Sequence, residues 1–320
     1  MLNRILKCFN YNNCYVKKSR TYYSVALKKP DGKIYNYYDN ELNNSSFIIK
    51  DNINEWIHNV YTKKNNKWIY QLLYNDEILD NMIENIPDNK NFYLNKKGHN
   101  KGILLWNDKK IGWLIHSVPK YPNKIKLGKE FKIDEIEESQ LIYGQSFIYI
   151  ELDIKELKNI LIQLKIMESN VYYTNYNYNK IENIDLNINN IKIDENIFHI
   201  SKSSKWNKDL YNIFVQEFMN SKILCQSWMK PGLDSTENTK NIRNIKWDDN
   251  ISYITSQDHS KYAISMDKNK PWVFIGDINR MESQYRRGGG GILIKDNNLW
   301  NCFNKIIIDY NDLVLNPNNK

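Results

Sequence analysis

The sequence predicts an α/β layered protein made of two related halves. Two observations carry this. Strand-like alternating segments and amphipathic helical segments follow one another along the whole chain. One segment also occurs twice: His-x-Lys, a short strand, a charged turn, and a second strand opening with Trp, at residues 99–113 and again at 259–272.

Residues 22–28 and 33–38 read as strands around Pro30-Asp31-Gly32, where Pro fixes φ and Gly accepts a positive φ. Residues 53–61 are a short amphipathic helix, and 67–74 are β-rich up to Asn75-Asp76. Strands follow at 102–106 and 111–118, joined by Asn107-Asp108-Lys109-Lys110, and at 146–152. The clearest helix covers 153–167, where Asp153 and Glu156 have capping-box spacing and Leu157, Ile160, Leu161 and Leu164 line one face. The Tyr-, Asn- and Ile-rich stretch 171–200 reads as a connector, separating an N-terminal extension (1–20) and a first half (21–170) from a second half (201–320). There, 208–220 is helical, 223–228 a strand, 231–244 a polar loop, and 251–255, 262–266 and 272–278 are strands. Residues 288–291 are a glycine loop leading into a strand at 292–295, and a last helix lies near 299–310.

Composition narrows the function classes. The chain has 320 residues, 41% hydrophobic and 26% charged, which is globular rather than disordered. No apolar run approaches the ~20 residues of a membrane helix. Cys8, Cys14, Cys225 and Cys302 are too scattered for a disulfide framework or a zinc cluster. The excess of 45 basic over 37 acidic residues favours a polyanionic partner, nucleic acid or an acidic membrane surface, without choosing between them. Residues 1–10 lack an apolar secretory core, so the expected location is cytoplasmic, with a lysosomal or secreted one as the alternative.

The repeated segments carry the chemistry. Residues two apart in an extended segment share a side, so His99 with Lys101, and His259 with Lys261, each present an imidazole beside an ammonium. Such a duplicated pair suits a phosphodiester. One His forms a phospho-enzyme, the other protonates the leaving oxygen, and two Lys offset charge on the non-bridging oxygens in place of a metal. No cluster of Asp, Glu and His has metal-ligand spacing, and no cofactor is expected. Arg286, Arg287, Gly288 and Gly289 form a basic, glycine-rich stretch whose backbone N–H groups suit a phosphate chain, with a flexible edge hairpin as the alternative reading. Trp206, Trp228 and the many Tyr are candidates for stacking on unpaired bases, although core or surface packing explains most of them more simply.

The paired motifs resemble the phospholipase D superfamily, and the surrounding residues are similar to the deoxyribonuclease II family. The segments are Leu72-Leu-Tyr-Asn-Asp76, Gly98-His-Asn-Lys-Gly-Ile-Leu-Leu105, Trp113-Leu-Ile-His-Ser-Val-Pro119 with Tyr121-Pro122, and Tyr143-Gly-Gln-Ser146. In the second half they are Asp258-His-Ser-Lys-Tyr262, Gly276-Asp-Ile-Asn-Arg280 and Arg287-Gly-Gly-Gly290. The resemblance spans nearly the whole chain. It implies a metal-independent acid endonuclease that leaves 3′-phosphate ends on DNA. It also implies a pseudo-twofold α/β/α fold with a central mixed sheet in each half and the site where the halves meet.

Carried over by position, the resemblance places functional histidines at His99, His116 and His259, phosphate-holding Lys101 and Lys261, and an acid and an amide at Asp277 and Asn279. His58 and His199 match nothing. The chain departs from the family at Asn107, at the less acidic stretch 281–286, and at Ala263 and Phe274, where secreted relatives carry Cys. Those two losses suit a reducing compartment. Two other readings stay open: a catalytically inactive DNA-binding homologue, and a phospholipase D-like enzyme acting on lipid. No obligate protein partner is expected, and a homodimer is compatible with the sequence.

Overall fold

The computed structural model describes residues 21–63, 66–77, 98–178, 181, 186–228, 232–247 and 252–311. Its strands, in chain order, are β1 (Tyr23–Lys28), β2 (Tyr35–Asp39), β3 (Ile48–Lys50), β4 (Tyr70–Tyr74), β5 (Gly102–Trp106) and β6 (Lys110–His116). A small hairpin, β7 (Ile125–Lys126) and β8 (Lys132–Ile133), precedes β9 (Gln145–Asp153) and β10 (Val171–Thr174). Then come β11 (Ile188–Asp194), β12 (Ile197–Lys202), β13 (Ile223–Gln226), β14 (Thr239–Lys246) and β15 (Ser252–Ile254). The last four are β16 (Tyr262–Ser265), β17 (Trp272–Gly276), β18 (Gly289–Lys295) and β19 (Ile307–Tyr310). The helices are α1 (Ile53–Thr62), α2 (Glu138–Leu141), α3 (Leu157–Ile166), α4 (Gln216–Met219) and α5 (Asn297–Ile306).

The strands form two large sheets, ordered β10-β4-β5-β6-β9-β1-β2-β3 and β11-β12-β18-β17-β16-β13-β14-β15, with β19 also on β14. The run β4-β5-β6-β9-β1-β2 repeats as β13-β16-β17-β18-β12-β11, antiparallel throughout. The inner faces of both sheets share one apolar cluster with α3 and α5. The outer face of the first sheet packs on α1, and that of the second on residues 210–219.

Helix ends follow local chemistry. Asp153 accepts from the Lys155 amide, but the chain opens with a single 3₁₀ turn and becomes α-helical only at Leu157. Asp296 caps α5 by accepting from Asn298 and Leu299. Residues 210–215 are wound as a π-helix before α4.

Several expectations need correction. The mixed sheet holds only for the second half, where β13 and β14 run parallel; the first sheet is antiparallel at every described pair. Its neighbours are hairpins or strands returning between them, as β9 does between β6 and β1. The stretch read as a connector at 171–200 contains β10 of the first sheet and β11 with most of β12 of the second. Part of the polar loop at 231–244 is β14, whose first three residues, Thr239, Lys240 and Asn241, are polar and buried; Asn241 bonds inward, donating to the Leu233 carbonyl and accepting from Arg280.

Most of the glycine loop is strand: Gly289–Gly291 open β18, and Gly288 bridges to Gly98 just before it. A Cβ at Gly290 would sit 1.9 Å from the Ile200 carbonyl oxygen, so glycine is set there by close backbone approach. The final helix ends at Ile306 and the chain continues as β19. The shared Trp is also only an apparent match. Trp113 pairs with Leu104 and faces the inner core, whereas Trp272 sits one register position earlier, opposite Lys295, and packs on the outer cluster. A one-residue slip reverses the face of a strand residue.

Candidate active site

Both His-x-Lys segments lead into equivalent strands. Gly102 pairs with Tyr74 and Ile115, and Tyr262 with Gln226 and Ile275. Counting from these registers, Lys101 corresponds to Lys261, His116 to Gly276, Ser117 to Asp277 and Asp76 to Trp228. The hydrogen bonds repeat accordingly. The Ser117 hydroxyl accepts from the Ser146 amide at 2.9 Å, and the Asp277 carboxylate from the Gly290 amide at 2.8 Å.

Each histidine backbone is held by the opposite half. The His99 amide donates to the Gly288 carbonyl at 2.7 Å, and the His259 amide to the Gly144 carbonyl at 2.8 Å. Cβ atoms at Gly98 and Gly288 would collide with the carbonyls of Glu168 and Met167 at the end of α3, which explains both glycines. Arg287 closes the same junction by donating to the Gly98 carbonyl at 2.6 Å.

His99 and Lys101 share a carboxylate to which the sequence reading gave no role. Asp76 lies 2.5 Å from the Lys101 ammonium and 3.3 Å from His99 Nε2. Burial alone would raise the Asp76 pKa, but Lys101 and His99 outweigh it and hold the carboxyl well below the usual range. The Nδ1 atom of His99 is 2.8 Å from the Asp277 carbonyl oxygen, which can accept a proton held on Nδ1, while Nε2 faces Asp76. Burial and the Lys101 charge push His99 down to about 3, against the pull of Asp76.

The second pair has a different setting. The His259 ring stacks on Tyr143, with centroids 4.0 Å apart and planes 11° apart, and meets Trp228 at 4.7 Å. Lys261 is only 3% exposed; its ammonium donates to the His259 carbonyl at 2.5 Å and its amide to the Ser146 hydroxyl. Burial, aided by the Lys101 charge, pushes Lys261 down to about 7. The Lys261 amide bonds to Ser146 of the first half and the His99 ring to Asp277 of the second, so the two His-x-Lys segments meet at one junction.

Asp277 is buried there too. Burial drives it up to about 7, although the Gly290 amide, Lys101 and Lys261 oppose the rise. Asn279 is buried nearby in sequence, with its Oδ1 unpartnered. His116, the cross-strand neighbour of Lys101, packs against Tyr121 and Phe147 with neither ring nitrogen hydrogen-bonded. Burial and Lys101 push it down to about 3.

The basic stretch divides. Arg286 is exposed, Arg287 bridges the halves, and Gly288 and Gly289 are buried. The neighbouring Gly290 N–H is committed to Asp277, so this strand does not present a row of free amides. Of the unassigned histidines, His199 is in the core against Trp113, and His58 lies beside Phe131. Sequence reasoning missed Asp76, Tyr143 and Trp228 as neighbours of the histidines; their available signal was position, two residues past β4 or β13 and one before Gly144.

Two antiparallel-rich halves, each delivering a half-buried His and a buried Lys to a shared junction, define a two-part α/β protein with one composite site. Comparison with known proteins gives the family: the Deoxyribonuclease II family model matches residues 15–313. The chain is 28% identical to Deoxyribonuclease-2 of Caenorhabditis elegans over 90% of its own length and 89% of that protein's. It is 29% identical to Deoxyribonuclease-2-beta of Mus musculus (75% and 70% covered) and 25% identical to Plancitoxin-1 of Acanthaster planci (89% and 84%). The chain belongs to the deoxyribonuclease II family.

Proposed function

We propose that this deoxyribonuclease-2-like hydrolase cuts DNA without a metal, in acid, through a phosphohistidine, leaving 3′-phosphate ends. The observation that carries the reading is the convergence of His99, Lys101, His259 and Lys261 from opposite halves. In this reading the fold is a phospholipase D-like, pseudo-twofold α/β/α arrangement.

The Nε2 lone pair of His99 attacks phosphorus and the P–O5′ bond breaks. His259 gives its proton to the departing O5′. Water, losing a proton to His259, then attacks phosphorus and breaks the P–N bond, leaving phosphate on the 3′ oxygen. Lys101 and Lys261 offset charge on the non-bridging oxygens. An imidazole held near 3 stays neutral in acid, which suits His99 as nucleophile. Aromatic rings beside His259 favour a cation, which suits the acid.

The test is nicking of supercoiled plasmid in excess EDTA across pH, with His99→Ala and His259→Ala beside wild type. Activity that appears only with added Mg²⁺ or Mn²⁺ would overturn the metal-free chemistry. Phosphate trapped on His259 instead of His99 after acid quench would reverse the two roles.

A further inference from the structure

Two buried lysines outside the His-x-Lys pairs occupy equivalent places. Lys28 ends β1 opposite Gln145, and Lys202 ends β12 opposite Gly289, the residues that follow Gly144 and Gly288. Both are fully buried, and among the described residues neither ammonium makes an ion pair, although the charges of Asp258 and Asp31 act on Lys28 and those of Asp277, Glu168 and Asp209 on Lys202. Each donates to three backbone carbonyls instead. Lys28 takes those of Lys29 (2.6 Å), Gly32 (3.0 Å) and Leu141 (2.7 Å). Lys202 takes those of Gln284 (3.1 Å), Tyr285 (3.0 Å) and Arg287.

An unpaired buried ammonium is costly, so its appearance twice at matching positions calls for a cause. The carbonyls supply one. Leu141 lies two residues before Tyr143, which stacks on His259. The turn that Lys28 gathers also bonds to the same segment, through the Asp31 and Gly32 amides to the carbonyls of Ile142 and Leu141. Lys202 binds Arg287 itself, whose guanidinium holds the Gly98 carbonyl beside His99. Three donors on one ammonium are what is needed to fix carbonyls that no strand or helix pairs.

We propose that Lys28 and Lys202 are positioning residues: each freezes the segment through which one half orients the histidine presented by the other. Lys28 acts through Tyr143 on His259, and Lys202 acts through Arg287 on His99. This deepens the nuclease reading above and rests on it for its catalytic consequence.

The test pairs double-mutant cycles with hydrogen exchange on the full chain. Lys28→Met should lower single-turnover cleavage by up to about 10²-fold, as small misplacements of catalytic groups do, with little change in duplex binding. Combined with Tyr143→Leu the losses should not multiply, whereas combined with Arg287→Met they should multiply to within about twofold. Lys202→Met should show the reverse partnership. Removing the ammonium also leaves carbonyls unsatisfied and costs stability. Lys28→Gln and Lys202→Gln, which keep an amide donor, are therefore run alongside and should recover part of the rate.

Amide exchange is expected to quicken at residues 138–144 in the Lys28 variants and at 282–288 in the Lys202 variants, each without the other. This readout needs no nuclease activity. An inactive wild type with locally quickened exchange would refute the DNA-cleavage reading and leave the tethering intact. Losses that multiply within the matched pairs, or exchange rising evenly in both segments, would overturn the proposal.

Discussion

Trp228 stands in the second half where Asp76 stands in the first: each is the second residue past its strand, and each meets the histidine of its own His-x-Lys pair. Duplicated frames thus carry unlike neighbours. One imidazole faces a carboxylate and the other faces aromatic rings, so the two are not interchangeable. A nucleophile and an acid need that difference.

Asp76→Asn removes a carboxylate shared by Lys101 and His99. Breaking one partner of a buried pair costs about 3–5 kcal/mol, so the melting temperature should fall clearly. Single-turnover cleavage should fall as well, while duplex binding holds or tightens because a negative charge has left the site. Calorimetry, quenched-flow and anisotropy measure the three. Unchanged cleavage would make Asp76 a structural residue only.

Lys261→Ala should lose turnover by about 10²–10³-fold, as removal of a charge-stabilising donor does, with duplex affinity little changed. Lys261 is too buried to serve as a surface contact. Arg286→Ala should do the reverse, weakening binding and flattening its salt dependence because Arg286 is exposed. A weakened Lys261→Ala complex that cleaves at the wild-type rate would contradict the shared site.

The cleavage rate should fall as pH rises through about 7. Lys261 loses its charge and Asp277 gains one in the same interval, so the site becomes less positive by both routes. Asp277→Asn should make this decline shallower. A rate–pH profile from 4 to 9 checks it, and a rate still climbing above pH 8 would reject the assignment.

Stability should change with pH in the opposite sense to activity. His99, His116 and His199 are each held at about 3, below the ~6.5 of an exposed imidazole. Between those values the unfolded chain binds more protons, so stability rises with pH through the window and is lost as pH falls. Asp277, raised to about 7, and Asp258, also raised by burial, have the opposite slope above ~4 but are two groups against three. Melting temperature followed from pH 7 to 4 should therefore drop, and His199→Gln should lessen the drop. A flat profile would show that these rings titrate normally.

Melting temperature should be the same with and without reductant. Ala263 and Phe274, the positions at which the family resemblance implies Cys, are direct cross-strand partners packed in the outer cluster of the second sheet. Cys225 and Cys302 are free and buried. A large drop on reduction would point to a bridge involving Cys8 or Cys14, which lie outside the described residues.

The central strands were legible because their apolar content is unbroken: Gly102–Trp106 was placed to the residue. β14 and the glycine strand were not, for opposite reasons. β14 opens with buried polar residues, of which Asn241 is satisfied by Leu233 and Arg280; in β18 the glycines remove the side chains that signal a strand. The paired His and Lys were visible as a repeat. Asp76 was visible as a residue but not as a partner, because 25 positions separate it from Lys101 and only strand pairing brings them together.

The crossed amide bonds, His99 to Gly288 and His259 to Gly144, also bear on motion and on folding. Hinging the halves apart would release both histidines at once, so a polymer must reach a site assembled at folding rather than one that opens for it. Neither half can seat its own imidazole, because the backbone that holds each one belongs to the other. Expressed alone, either half would be a frame with its reactive ring adrift.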